Sequence, residues 1–182
     1  MFLPGQEDIE SLDKSIQLYA KRLPQDTPGI LTCPLYASLP ASQQQQIFVP
    51  APKGMRKVIL ATNIAETSVT IPGVRYVIDS GKCKEKRWVG RSVGGGFDTL
   101  LTQDITKSSA WQRTGRAGRD APGSCFRLYT EDAFNVLPLS AEPEIRRCSL
   151  TASMLQLKCL GQDLEEMEFM ESPDQEGSKC VS

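Results

Sequence analysis

Val58-Ile59-Leu60-Ala61-Thr62-Asn63-Ile64-Ala65-Glu66-Thr67-Ser68-Val69-Thr70-Ile71 joins an unbroken apolar run to a polar cluster. Four consecutive apolar residues are what a strand covered on both faces shows, and such strands belong to parallel sheets. Ligands of open α/β sheets collect at the carboxyl ends of the strands, so the polar cluster from Thr62 to Thr70 stands where function is expected. Val74 to Ile78 repeats the arrangement and delivers Asp79.

Working outward, Met1-Phe2-Leu3, Ile30 to Tyr36 and Ser124 to Tyr129 read as further strands. Between them lie helical patterns. Ile9, Leu12, Ile16, Tyr19 and Leu23 keep helical spacing after Gly5, and Pro24 ends that helix. A glutamine-rich helix runs from about Ala41 to Phe48, and a short helix from Thr130 to Asn135. Strands alternating with helices predict an α/β fold, a mostly parallel sheet with helices on both faces.

A second stretch carries chemistry: Ala110-Trp111-Gln112-Arg113-Thr114-Gly115-Arg116-Ala117-Gly118-Arg119. Read as a helix, it places Gln112, Arg116 and Arg119 at i, i+4 and i+7, one amide and two guanidiniums on one face. Two glycines inside a helix cost roughly 1 kcal/mol each against alanine, and close approach to a ligand is the usual compensation. Arginine forks match phosphate oxygens, and two of them a turn apart suit a polyphosphate.

The string QRTGRAGR resembles motif VI of superfamily 2 helicases, in the form of the DEAH-box RNA helicases. FLPGQEDIE at Phe2–Glu10 resembles their motif IV, with Pro4 in place of the usual threonine. LYASLPASQQQQIF at Leu35–Phe48 is similar to the motif IVa region, and ATNIAETSVTIPGVRYVIDSG at Ala61–Gly81 to motif V and its sequel. PEIRRCSLTASMLQLKCLG at Pro143–Gly161 resembles the start of the winged-helix domain that follows the second motor domain.

That resemblance implies a RecA-like, P-loop-NTPase-type three-layer parallel sheet with a β-hairpin insertion and a C-terminal helical extension. It implies that Gln112 helps place the attacking water and that Arg116 and Arg119 act as arginine fingers on the ATP phosphates, each finger being worth about 10³ to 10⁵ in rate. Thr70 and Asp79 are implied beside the nucleotide, Asp79 near the ribose or the metal–water shell. Ser38, Thr62, Asn63 and Thr67 are implied along the RNA; read without the family, Ser38 is simply a turn residue. ATP and Mg²⁺ are the implied cofactors, held mainly by a first RecA-like domain. RNA, that first domain and a protein activator are the implied partners, with 3′-to-5′ movement. The wording of AWQRTGRAGR and FRLYTEDAF resembles the members linked to ribosome production, which implies the nucleus and nucleolus, with the cytoplasm as the alternative.

Three further features bear on function. Glu66, flanked by hydroxyls and amides, reads as a local structural carboxylate rather than a general base. Gly81 to Thr106 reads as a hairpin with its tip at Gly90 to Gly96. Lys82, Lys84, Lys86, Arg87 and Arg91 surround Trp88 there, which suits single-stranded nucleic acid and equally suits a lysine-protected edge strand. Where the family has a Tyr-Asn-Pro stretch, this hairpin has Trp88-Val89-Gly90.

Composition narrows the rest. The 182 residues carry a net charge of −1 and are 40% apolar, so a packed core is possible and any nucleic-acid contact must come from a local stripe. Six cysteines occur without a C-x-x-C pair, and no histidine is present, so neither a Cys/His zinc site nor a histidine-dependent triad is available. The cysteines read as buried or incidental thiols of a reducing compartment. No run of 18 apolar residues and no secretory leader appear, so no membrane role is expected.

The chain has no G-x-x-x-x-G-K-[ST], since Gly81-Lys82 is followed by Cys83 and position 76 is Tyr, and without histidine it has no DEAH tetrapeptide. The expected organisation is a RecA-like helicase C-terminal domain over residues 1–138, beginning inside its first strand, then the beginning of a winged-helix domain over 139–170 and a disordered tail over 171–182. Such a chain is expected to be catalytically inactive alone. A different class remains open, a non-catalytic RNA- or partner-binding module derived from such a helicase. A metabolic α/β enzyme is excluded by the lack of a G-x-G-x-x-G after a strand.

Overall fold

The computed structural model describes residues 1–90, 96–162 and 167–172. Its centre is a parallel sheet. Strands β1 (Gly29–Leu35) and β2 (Met55–Ala61) pair in the register Gly29 with Met55 through Leu35 with Ala61. Strands β3 (Tyr76–Asp79) and β6 (Ser124–Arg127) pair from Tyr76 with Ser124 to Asp79 with Arg127.

The two pairs are joined by the first residues of the chain. Phe2 bridges both Ala61 and Asp79, donating from its N–H to the Ile78 carbonyl at 2.8 Å, while Leu3 N–H donates to the Ala61 carbonyl at 2.8 Å. The order across the sheet is therefore β1, β2, Met1–Leu3, β3, β6.

Period-two alternation sends successive residues to opposite faces. Leu3 and Leu60 pack with Ile9 of helix α1 (Gln6–Ala20), with Leu12 and Ile16 partly buried beside them. Their neighbours Phe2 and Ala61 turn the other way, into a core with Cys33, Leu35, Ile47, Ala65, Val77 and Ala117. The sheet is thus covered on both faces, as the α/β reading requires. Tyr19 is an exception to the expected stripe: α1 ends at Ala20, and Tyr19 lies exposed beyond the part of the helix that reaches the sheet.

The glutamine-rich helix is two short pieces, α2 (Ala41–Gln44) and a 3₁₀ turn (Gln45–Phe48). The tightening drops Ile47 into the core and aims the Gln46, Ile47 and Val49 carbonyls at the Lys57 ammonium, 2.6 to 2.8 Å away. Helix α3 (Ile64–Thr67) is a single turn at the end of β2.

Strands β4 (Lys82–Gly90) and β5 (Gly96–Asp104) form the hairpin expected from Gly81 to Thr106; its tip, with Arg91 and two of the three consecutive glycines, lies outside the described residues. Helix α4 (Lys107–Thr114) follows, then α5 (Glu131–Val136), α6 (Glu144–Arg147) and α7 (Thr151–Cys159). No disulfide joins the described cysteines. No helix is long and apolar enough to cross a membrane.

Two compact units emerge. One contains Met1–Cys83 and Thr102–Ser140, the other Lys84–Leu101 and Ala141–Ser182. In the second unit the hairpin's basic residues are internally paired: Lys86 with Asp98 at 2.8 Å and Arg87 with Glu142 at 3.7 Å. The pairing raises the pKa of Lys86 and lowers that of Asp98, the mutual hydrogen bond being the first cause in each. Trp88 is half-buried, its ring lying where a side chain at Gly96 would stand. Two of the cluster's cations, Lys86 and Arg87, thus have acidic partners within this unit.

Helix α4 positions the candidate site, and its start is set by a side-chain cap. Thr106 has extended backbone angles and its hydroxyl accepts from Ser109 N–H at 3.1 Å. Thr106→Ala is expected to lower stability by about 1 kcal/mol, read as a lower urea midpoint at unchanged slope.

Candidate nucleotide and RNA interface

The glycine-arginine stretch is not one continuous helix. α4 ends at Thr114, and Arg116 and Ala117 N–H donate to the Arg113 and Thr114 carbonyls at 3.1 Å, a tighter i to i−3 pattern. The i, i+4, i+7 face expected for Gln112, Arg116 and Arg119 is therefore corrected. Ala117 is buried in the core, and the tight turn that buries it carries the two arginines onto a different element.

That element is the segment after α3. Arg116 Nη1 donates to the Val69 carbonyl at 3.5 Å, Arg119 Nη1 donates to the Thr70 hydroxyl at 2.8 Å, and Gly73 N–H donates to Asp120 Oδ2 at 2.6 Å. Three ties thus stitch residues 116–120 to residues 69–73. Arg116 is half-buried, and its Nε is shielded from solvent without a hydrogen-bond partner. Burial first, and the neighbouring Arg119 second, lower its pKa, while Glu66 opposes them. An arginine remains charged through such shifts.

A Cβ at Gly118 meets nothing within 4 Å, and one at Gly115 meets only carbonyls of its own helix at 3.5 Å. Protein packing does not explain these glycines. The space a side chain would fill at Gly118 is open. Gln112 is exposed on α4, as are Thr70 and Arg119.

The residues implied along RNA lie at strand carboxyl ends. Ser38 follows β1, is exposed, and donates to Gln6 Oε1 at 3.0 Å. Thr62 is half-buried at the end of β2, its N–H bonded to the Leu35 carbonyl at 3.1 Å. Asn63 and Thr67 are exposed on either side of the α3 turn. Gln6 gave no signal of its own, yet it holds the Ser38 hydroxyl and also donates to Glu10 at 2.7 Å.

Asp79 is placed differently from its expected position beside the nucleotide. It is fully buried, and its oxygens accept from Arg113 Nη1 at 2.7 Å, Gly81 N–H at 2.9 Å and the Tyr129 hydroxyl at 2.9 Å. A carboxylate so saturated serves the fold and is not presented to a ligand. Burial, then the Asp79 charge, push the Tyr129 hydroxyl well above its ordinary pKa, so it stays a donor. Glu66 matches its structural reading, accepting from Arg113 Nε at 2.9 Å and from the Ser109 hydroxyl.

Arg113, which the spacing argument passed over, is the organising side chain. Its guanidinium is 0% exposed, bonds Glu66, Asp79 and the Lys82 carbonyl (3.2 Å), and lies 4.9 Å from the Phe2 ring centroid. Gly81 completes this corner: its φ of +73° favours glycine, and a Cβ there would stand 2.6 Å from the Tyr129 ring.

A parallel sheet covered on both faces, with hydroxyls beyond its strand ends and two arginines held against the segment after α3, is the arrangement expected of a RecA-like domain. A family profile described as the helicase conserved C-terminal domain matches residues 1–121, and the chain belongs to that family. It is 49% identical over 174 residues to the human ATP-dependent RNA helicase DHX33, covering 95% of this chain and 24% of that protein. The Drosophila melanogaster DHX33 is 46% identical over 181 residues, 100% of this chain and 26% of that protein. The Arabidopsis thaliana pre-mRNA-splicing factor ATP-dependent RNA helicase DEAH10 is 45% identical over 95% of this chain and 24% of that protein. Among solved structures, the Escherichia coli DEAH/RHA helicase HrpB superposes with a TM-score of 0.82 at 37% identity, covering 95% of this chain and 21% of that one. The chain spans about a quarter of the length of these curated relatives.

Proposed function

We propose that this domain works as the C-terminal motor domain of a DEAH-box ATP-dependent RNA helicase, coupling ATP hydrolysis to 3′-to-5′ unwinding of RNA or remodelling of RNA–protein complexes. The observation that carries the reading is the pairing of Arg116 and Arg119 on the Val69–Thr70 segment. The half-buried guanidinium of Arg116 and the exposed fork of Arg119, held on adjacent residues of one segment, fit a polyphosphate, which offers several acceptors to two cations. ATP held there has its transferring phosphoryl charge stabilised by the arginines, while Gln112 orients water.

The chain's own part is to orient and stabilise. Among the described residues no group of three or more His, Cys, Asp and Glu side chains is placed to hold a metal. In this reading the Mg²⁺ and the phosphate-cradling loop belong mainly to a first RecA-like domain that closes on this one, since the chain has no G-x-x-x-x-G-K-[ST]. Ser38, Thr62, Asn63 and Thr67 form the backbone-gripping edge for single-stranded RNA, and nuclear, including nucleolar, RNA processing is the setting this reading proposes. Residues 139–170 begin the winged-helix domain in the same reading.

Purified alone, the 182-residue chain is expected to bind single-stranded RNA weakly, with affinity falling as salt rises, and to hydrolyse no ATP with or without that RNA. Hydrolysis abolished by Arg116→Ala would mean a complete phosphate site lies within the chain, and the half-motor reading would fall. Absence of RNA binding even at low salt would remove the RNA-gripping edge.

A further inference from the structure

We infer that Arg113 is a positioning residue: its buried guanidinium ties Glu66, before the Val69–Thr70 segment, to Asp79 and the Lys82 carbonyl at the hairpin base, so that both ends move as one body with the turn carrying Arg116. The inference rests on the reading of Arg116 and Arg119 as the nucleotide-facing pair, and gives that pair its support.

The geometry is specific to an arginine. Nε serves Glu66 at 2.9 Å, Nη1 serves Asp79 at 2.7 Å, and Nη1 and Nη2 share the Lys82 carbonyl at 3.2 Å. These acceptors come from three separate segments, α3, the end of β3 and the start of β4. A planar fork spans them at once, whereas an ammonium is a point charge with a single centre. Both carboxylates are themselves pinned: Glu66 also accepts from Ser109, and Asp79 from Gly81 N–H and Tyr129.

The output side is equally direct. Arg113 continues into the tight turn, its own carbonyl accepting from Arg116 N–H at 3.1 Å. Arg116 then reaches Val69, three residues after Glu66. A closed loop of contacts results, from Arg113 through Glu66 and the Val69 segment to Arg116 and back to Arg113. A shift of Glu66 relative to Asp79 has to pass through the Arg113 fork, and so through the turn that carries Arg116. Glu66 is buried within this loop, which leaves it no role at a ligand.

Amide hydrogen exchange on the 182-residue chain tests this without nucleotide. Arg113→Lys keeps the charge and loses the fork. The amides of Glu66, Gly73 and Gly81, bonded to Asn63, Asp120 and Asp79, are expected to exchange about tenfold faster together, while Ile9 N–H, bonded to Gly5 in α1, keeps its rate. Acceleration of Ile9 by the same factor would show general destabilisation, and acceleration at Glu66 without Gly81 would show no link; either overturns the inference. If Arg113→Lys does not fold, Glu66→Gln, which retains an acceptor, carries the same comparison.

In an enzyme completed by its first motor domain, Arg113→Lys is expected to lower kcat for RNA-stimulated ATP hydrolysis by about tenfold with KM for ATP changed by roughly twofold or less. A lost folded fraction alone would leave kcat per folded molecule unchanged. Unaltered exchange with a defective Arg116→Ala enzyme would sink the inference and leave the proposed function standing. Linked exchange with an unimpaired Arg116→Ala enzyme would do the reverse.

Discussion

Arg116→Ala, placed in the complete enzyme that carries this domain, is expected to lower kcat for RNA-stimulated ATP hydrolysis by about 10³ to 10⁵. That factor corresponds to about 4 to 7 kcal/mol of transition-state stabilisation. Arg116 is half-buried, it has only a long 3.5 Å contact to a carbonyl, and its Nε has no partner. A cation kept partly desolvated and underused by its own protein is poised for charge that develops during reaction. Because the contact is expected to strengthen in the transition state, KM for ATP should change far less than kcat. Steady-state kinetics of the variant beside Arg119→Ala would measure this. An Arg116→Ala enzyme within about tenfold of the parent kcat would remove the arginine-finger role. Arg119 is exposed and bonded to the Thr70 hydroxyl, so its loss is expected to weaken binding more evenly.

The second large effect concerns stability. Arg113→Met is expected to cost about 3–5 kcal/mol, because it strands two carboxylates, one of them wholly buried, without their cation. For a domain whose total stability is of order 5–15 kcal/mol, that is a large share. Urea denaturation of the 182-residue chain would show it as a midpoint lowered by more than about 1 M. Arg113→Met combined with Glu66→Gln and Asp79→Asn removes all three charges while keeping acceptors for Ser109, Gly81 and Tyr129, and is expected to regain part of the loss, since no buried charge is left unpaired. If Arg113→Met alone leaves the midpoint within about 0.3 M of the parent, the network carries little of the fold's stability.

The two predictions concern arginines three positions apart in one motif, and their separation shows what each level of description supplies. The apolar run Val58–Ala61 and the alternation of strands with helices are local properties, since burial on both faces demands apolar residues in sequence. The sheet and its two covered faces were therefore readable before any coordinates. So was the pairing of Gly115 and Gly118 with Arg116 and Arg119, because glycines beside arginines have few structural uses.

Other features were not readable from spacing. The motif was expected to be one helix face, yet it breaks into a tight turn because Ala117 has a core to fill. For Lys86 and Arg87 the sequence left an open basic patch and a protected edge strand equally possible, and their acidic partners Asp98 and Glu142 lie elsewhere in the chain. Asp79 sits at a strand end where ligands usually bind, but the chain itself takes up both of its oxygens.

Local periodicity and residue chemistry thus determined the α/β sheet and the arginines suited to phosphate, while the helicase motifs came from resemblance to a family. Tertiary structure decided which charges face outward. Arg113 meets Glu66 across 47 residues and Asp79 across 34, so its burial follows from strand order and from Phe2 joining the two halves of the sheet. Such long-range pairings leave no periodic trace, because the physical reason for them is the packing of segments distant in the chain rather than any preference of the residues themselves.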